Sequence, residues 1–149
     1  MFSIVRDPID PRAVEASVRS DACGGVVTFL GIVRELSDDG RRVTGLSYEA
    51  YEPMALAEFD VIANEARDRF GDVRLAMVHR VGDLTIGEIA VVVVAASAHR
   101  GDAFGACQYA IDQLKARAAI WKKEHYVDGM GEWRANACAT HDHQRDHAH

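Results

Sequence analysis

The stretch Ile89–Glu124 reads IAVVVVAASAHRGDAFGACQYAIDQLKARAAIWKKE and falls into three parts. Ile89 to Ala96 is apolar at every position, which predicts a central strand covered on both faces. Ser97 is placed to cap the helix that follows. In that helix Phe104, Cys107, Ile111, Leu114 and Ala118 recur at helical spacing and form one buried stripe. Ile120 to Tyr126 then returns as a strand. His99-Arg100 stands directly after the apolar strand, and Lys115, Trp121, Lys122 and Lys123 crowd the far end. The chain carries a net charge of −6, so these cations are not the overflow of a basic surface. Gathered beside a buried strand, they suggest a pocket built for an anion.

The rest of the chain alternates in a looser way. Met1 to Arg6 predicts a short edge strand. Asp10 followed by Pro11 reads as a helix start, with Asp as N-cap, and that helix runs to about Arg19. Gly25 to Arg34 (GVVTFLGIVR) is β-branched and aromatic, hence a strand, with Gly31 marking a bulge or a close backbone approach. After a polar loop with a turn at Asp39-Gly40, Arg42 to Tyr51 predicts a second long strand, and the two are expected to form a hairpin. Ala55, Phe59, Ile62, Ala66 and Phe70 give one helical stripe that Gly71 ends. Val73, Leu75 and Met77 alternate with Arg74 and Ala76, which predicts a half-buried strand reaching His79-Arg80. Asp83 to Gly87 reads as a turn, Asp128-Gly129 as another, and Trp133 is expected to return to the core. Strands and helices mix without strict βαβ alternation, so the class is α+β.

Bulk properties bound the function. The 149 residues suit one domain able to bury about 70% of its unfolded surface without metal or disulfide staples. The negative charge argues against non-specific nucleic-acid binding. No apolar run approaches the roughly 20 residues of a membrane span, and MFSIVRDPIDPR lacks the features of a secretory signal. A cytoplasmic, soluble protein is expected. Cys23, Cys107 and Cys138 are odd in number and contain no CxxC pair, so neither a disulfide framework nor a redox dithiol is indicated. Cys107 lies on the buried stripe and reads as a small core hydrophobe.

Each candidate residue also has a bland reading. Lys115 sits on the shoulder of its helix stripe, where a lysine stem commonly covers apolar surface. Lys122 and Lys123 occupy adjacent strand positions and face opposite ways, so one of them is solvated. The functional reading requires Lys115 and Lys122 to meet. Paired ammonium groups in a partly dry site lower each other's pKa, and a neutral lysine is a base or nucleophile. His99-Arg100 opens a helix whose free N–H groups favour anions. Arg34 alone is an ordinary strand-end cation, and His79-Arg80 reads as structural. The tail CATHDHQRDHAH, residues 138–149, has His-x-His spacing but no apolar residue to fix a metal geometry, so it is expected to be a disordered appendage to a domain spanning residues 1–137.

VVTFLGIVR, LSYEAYEPMA, HRVGDLTIGE, SAHRGDAFGACQYAIDQLK, IWKKE and GEW occur in order over roughly Gly24 to Trp133, and through them the chain resembles the large, catalytic subunits of molybdopterin synthase. The resemblance implies an α/β hammerhead with an additional antiparallel β portion. It implies an enzyme that converts cyclic pyranopterin monophosphate to molybdopterin by installing two sulfurs as a dithiolene. The sulfur arrives as a thiocarboxylate on the C-terminal glycine of a small ubiquitin-like carrier. Family members form a homodimer with one carrier at each end, a heterotetramer, and the large subunit needs no metal or redox cofactor of its own. Carried over residue by residue, Lys115 and Lys122 are catalytic. Ile32, Val33, Arg34, His99, Arg100, Lys123 and Glu124 contact the substrate. Two positions depart from the family pattern: Ala119 replaces the usual proline before the Trp-Lys run, and Ala137 stands where some relatives carry a substrate-site arginine, with Arg134 nearby. Rival readings are a non-catalytic adaptor for a ubiquitin-like tail and a metal-binding protein acting through its histidines.

Overall fold

The strand Ile89–Ser97 lies between two partners, as its unbroken apolar run requires. The structure, a computed structural model, describes residues 1–136; Ala137, Cys138 and the histidines of the tail lie outside the described residues. In chain order the elements are β1 (Phe2–Val5), α1 (Pro11–Val18), β2 (Gly25–Ile32), β3 (Val43–Ala50), α2 (Glu52–Phe70), β4 (Arg74–Arg80), β5 (Gly82–Thr85), β6 (Ile89–Ser97), α3 (Arg100–Arg117), β7 (Ile120–Tyr126), β8 (Gly129–Met130) and β9 (Arg134–Ala135).

The first sheet has the order β1-β4-β6-β2, with β1 parallel to β4 and the other pairs antiparallel. Alternate residues of β4 and β6 divide between two clusters. Leu75, Met77, Val91, Val93 and Ala95 pack with Phe59 and Ile62 of α2 and Ala106 and Leu114 of α3. Ala76, Val78, Val92, Val94 and Ala96 pack with Val14 and Val18 of α1. β4 is therefore buried on both faces from Leu75 to His79. The expected half-burial fails because α1 covers the second face.

The second sheet, β5-β3-β7-β8 with β9 beside β7, is antiparallel throughout. It is the added β portion of an α+β fold. β5 occupies residues read from sequence as part of a turn; the reversal is confined to Ile86-Gly87, where Gly87 takes φ +88°.

The expected β2–β3 hairpin does not form. β2 pairs with β6 along its whole length and leaves its other edge unpaired, whereas β3 pairs with β5 and β7 in the other sheet. Within the connection over residues 33–42 an isolated bridge joins Leu36 to Arg42, and the Ser37 N–H donates to the Arg41 carbonyl at 2.9 Å. The Asp39-Gly40 turn does form inside it, with Gly40 at φ +86°. Because β2 and β3 part company, their diverging ends open a space between the two sheets.

Local chemistry follows the pattern at most helix ends. The Asp10 carboxylate accepts from the Arg12 N–H at 3.0 Å, and Gly71 stops α2 at φ +82°. Ser97 is not the cap of α3: it is buried at the end of β6, and the N-cap is His99. Trp133 does not return to the core. It is 43% exposed, with the Lys123 ammonium over its ring.

Candidate active site

The chain reverses within a few residues after α3, and this reversal builds the site. Ala118 ends the helix in an extended conformation, its N–H still bonded to the Leu114 carbonyl. The Ala119 carbonyl accepts from Tyr51 N–H, which ties the turn to the start of α2. β7 then runs back alongside β3, with Lys122 opposite Tyr48 and Glu124 opposite Leu46. Leu114 is fully buried, so Lys115 is held at the margin of the core.

Lys115 and Lys122 open into one cleft of about 450 Å³. Arg34 and Ile32, from the end of β2, form one wall with Leu36, Ser37 and Asp38 of the loop. Leu46 and Tyr48 of β3 and Glu124 of β7 form the other. A smaller side chamber of about 90 Å³ shares Asp38, Lys122 and Glu124 with the cleft and adds Arg134 of β9.

The electrostatics are those of a partly dry cation site. Burial lowers the pKa of Lys115, and the neighbouring charges of Lys122 and Arg34 lower it further; Asp38 and Asp112 oppose them. No carboxylate lies within ion-pair distance of Lys115 or Lys122 among the described residues. One oxygen of Glu124 is buried without a hydrogen-bond partner among those residues. A buried carboxylate oxygen left this way is costly unless a ligand donor completes it. Burial and the nearby Glu124 charge push the Tyr48 hydroxyl up to about 12, so it is a fixed neutral donor.

The remaining predicted contacts lie elsewhere. Lys123 is on the other face of β7, toward Trp133. Val33 is buried, and its main chain is committed: N–H to the Glu88 carbonyl at 3.0 Å, C=O to Gly87 N–H at 2.8 Å. His99 and Arg100 line a separate concavity with Gly24, Ala98 and Gly101, at the opposite end of β2. Seven steps of strand at about 3.4 Å each put that end roughly 24 Å from Ile32. Sequence reasoning missed Asp38 and Tyr48. The alternation Leu46, Tyr48, Ala50 along an apolar strand face was the available signal for Tyr48. Asp38 in a polar loop gave none.

Behind Tyr48 lies His79, 1% exposed, its ring edge-on to the tyrosine at 4.9 Å between centroids. Its Nδ1 is 2.7 Å from the Arg80 carbonyl, which only accepts, so Nδ1 carries the proton. Burial lowers its pKa to about 4 from an ordinary 6.5. An unfolded chain therefore binds more protons than the folded one between those values, and stability falls as pH drops through that window. The loss is expected to reach about 3 kcal/mol by pH 4. Denaturant titrations at pH 7 and pH 4.5 check it, with His79→Gln expected to flatten the difference. Cys107 is likewise structural: buried, with its thiol pushed up to about 11 and directed at the Val93 carbonyl. Among the described residues no group of three His, Cys, Asp or Glu converges as a metal site, and no helix is long and apolar enough to cross a membrane.

Comparison with known proteins bears on the family and the fold. The family model described as MoaE protein matches residues 4–117. A molybdopterin synthase catalytic subunit of Nostoc is 44% identical over 133 residues, 89% of this chain and 80% of that protein. One from Pyrococcus abyssi is 44% identical over 129 residues, 85% of this chain and 86% of that protein. The solved structure of molybdopterin synthase from Staphylococcus aureus superposes with TM-score 0.84 at 38% identity, covering 89% of this chain and 96% of that one. A complex of subunits 1 and 2 of the molybdopterin-converting factor from Helicobacter pylori gives 0.70 at 27% identity, covering 87% of each chain.

Proposed function

The chain belongs to the MoaE family, and from that premise we propose that it is the catalytic subunit of a molybdopterin synthase, converting cyclic pyranopterin monophosphate to molybdopterin with sulfur from a carrier's C-terminal thiocarboxylate. The observation that carries this reading is the meeting of Lys115, Lys122 and Arg34 in one cleft beside a buried oxygen of Glu124 that has no hydrogen-bond partner among the described residues. Two anionic groups must come together in this reaction, the cyclic phosphate and the thiocarboxylate. A cleft with three cations holds both and offsets their repulsion. Lys115, its pKa lowered by burial, is the group suited to orient the thiocarboxylate and to exchange a proton as the carrier's carbonyl reacts. Lys122 steadies the developing negative charge. The buried Glu124 oxygen accepts from N–H donors on the pterin.

His99 and Arg100 enter the same reading through a second copy of the chain. β2 is an edge strand, and Leu30 and Ile32 on it are exposed. Antiparallel pairing of β2 with its counterpart across a twofold axis covers that edge. It also lays the Gly25 end of one strand beside the Ile32 end of the other. Each cleft then receives His99 and Arg100 from the partner copy, and the assembly is a homodimer with a small carrier at each cleft.

The direct test mixes the purified chain with a thiocarboxylated carrier and the cyclic phosphate, and assays the dithiolene product. No product under conditions where a known synthase works would reject the function. The homodimer is tested by mixing Lys115→Ala chains with Arg100→Ala chains, each inactive alone. Random reassociation leaves one intact cleft in half of the dimers, so about a quarter of the wild-type activity is expected to return. If nothing returns although the two chains exchange, both residues serve the same protomer's site.

A further inference from the structure

The cleft's cations already face an anion from their own chain. Asp38 forms an ion pair with Arg34. It also lines both the main cleft with Lys115 and the side chamber with Lys122 and Arg134. Its charge supports the protonated form of Lys115, against the effect of Arg34 and Lys122. One carboxylate thus sits among four cations in the place an anionic ligand needs.

The loop around it is built to stay put. Ser37 and Asp39 side chains both accept from the Arg41 N–H at 3.1 Å. Arg41 reaches Asp128 at 2.8 Å and lies 3.5 Å over the Tyr126 ring. Among the described residues Asp38 makes no such tie and pairs with Arg34 alone, and both side chains are more than half exposed. Its carboxylate can therefore leave by rotation about its own side chain while the loop remains docked.

We propose that Asp38 is a specificity-determining residue of the cleft, an internal competitor that holds Arg34 in the free protein and is exchanged for the anionic group of the ligand. This rests on the reading of the cleft as a phosphate-binding active site. An incoming anion must both displace Asp38 and repel it, so weak or poorly placed anions are rejected. A phosphate that engages Arg34 together with the lysines gains enough contacts to replace it. The exposed pair is weak, so the competition is modest, worth a few-fold in affinity.

The test is a calorimetric titration of the full-length chain with inorganic phosphate, which needs neither carrier nor turnover. Asp38→Asn is expected to bind phosphate about three- to five-fold more tightly than wild type. Glu35→Gln, which removes the same charge from the same loop outside the cleft, is expected to leave affinity unchanged. The double variant Arg34→Gln/Asp38→Asn is expected to lose the gain. Equal affinity of Asp38→Asn and wild type overturns the proposal. So does an equal gain in Glu35→Gln, or a gain that survives loss of Arg34. Asp38→Ser, checked with Asp38→Asn by circular dichroism, guards against a folding defect in one variant. Failure of the sulfur-transfer assay alone sinks the proposed activity and leaves this binding result standing.

Discussion

Lys115→Ala is expected to lower molybdopterin formation by about 10²- to 10⁴-fold, the range in which a positioned proton-transfer group acts. The loss should appear in kcat more than in KM, because Lys122 and Arg34 remain to bind the anions. Carrier binding should survive, which separates an enzyme from an adaptor that merely holds a ubiquitin-like tail. Single-turnover assays with preloaded carrier, and carrier affinity by calorimetry, read the two effects independently. Undiminished turnover would remove Lys115 from the mechanism.

The same residue makes a prediction about stability with the opposite sign. Burial and neighbouring cations lower its pKa below 10.5, so folding works against its charge at neutral pH. The unfolded chain binds more protons in the window below 10.5, and wild-type stability is therefore expected to rise with pH there. Lys115→Met keeps the apolar stem and removes the charge. It should melt above wild type at pH 7, with an advantage that shrinks toward pH 10.5. An inactive, more stable variant is the signature of a site held against folding preference. A Met variant less stable at pH 7 would show that the ammonium is instead well accommodated.

Phe59→Ala is expected to destabilise the fold by about 3–5 kcal/mol. Phe59 is fully buried on the stripe Ala55, Phe59, Ile62, Ala63, Ala66 of α2, within the larger core cluster. That cluster contains residues of both sheets: Met77 and Val93 of the first, Tyr48 and Leu84 of the second. Its packing is rigid enough that neighbours close only part of the void. Urea unfolding should show a lower midpoint with an unchanged slope. A cost below about 1 kcal/mol would mean that the core repacks freely around the missing ring.

Most elements were legible because each shows a local period. The apolar run Ile89–Ala96 forms β6, and Asp10-Pro11 starts α1. The stripe of α2 ends at Gly71. The errors of strand pairing and burial share one cause. β2 and β3 carry the right residues for strands, but nothing in them says whether they pair with each other. β4 showed one alternating face, and the cover on its other face comes from α1, more than fifty residues earlier in the chain. Trp133 is large and apolar, yet it meets the Lys123 ammonium at the surface instead of the core.

The candidate site divides along the same line. Lys115 and Lys122 were legible as candidates because a helix end and the strand after it are joined by a short reversal, but their local pattern left open whether they meet. Periodicity and capping, which act within a few residues, settled these local matters, along with which faces are apolar. The sequence by itself therefore determined most of the α+β elements and marked the two amines as candidates. Tertiary structure alone decided that β2 and β3 diverge into a cleft. It also decided that Asp38 and Tyr48 line that cleft, and that His99 and Arg100 sit at the far end of β2. Pairing between distant strands is a competition for backbone hydrogen bonds and buried area across the whole chain, and no local pattern records its outcome.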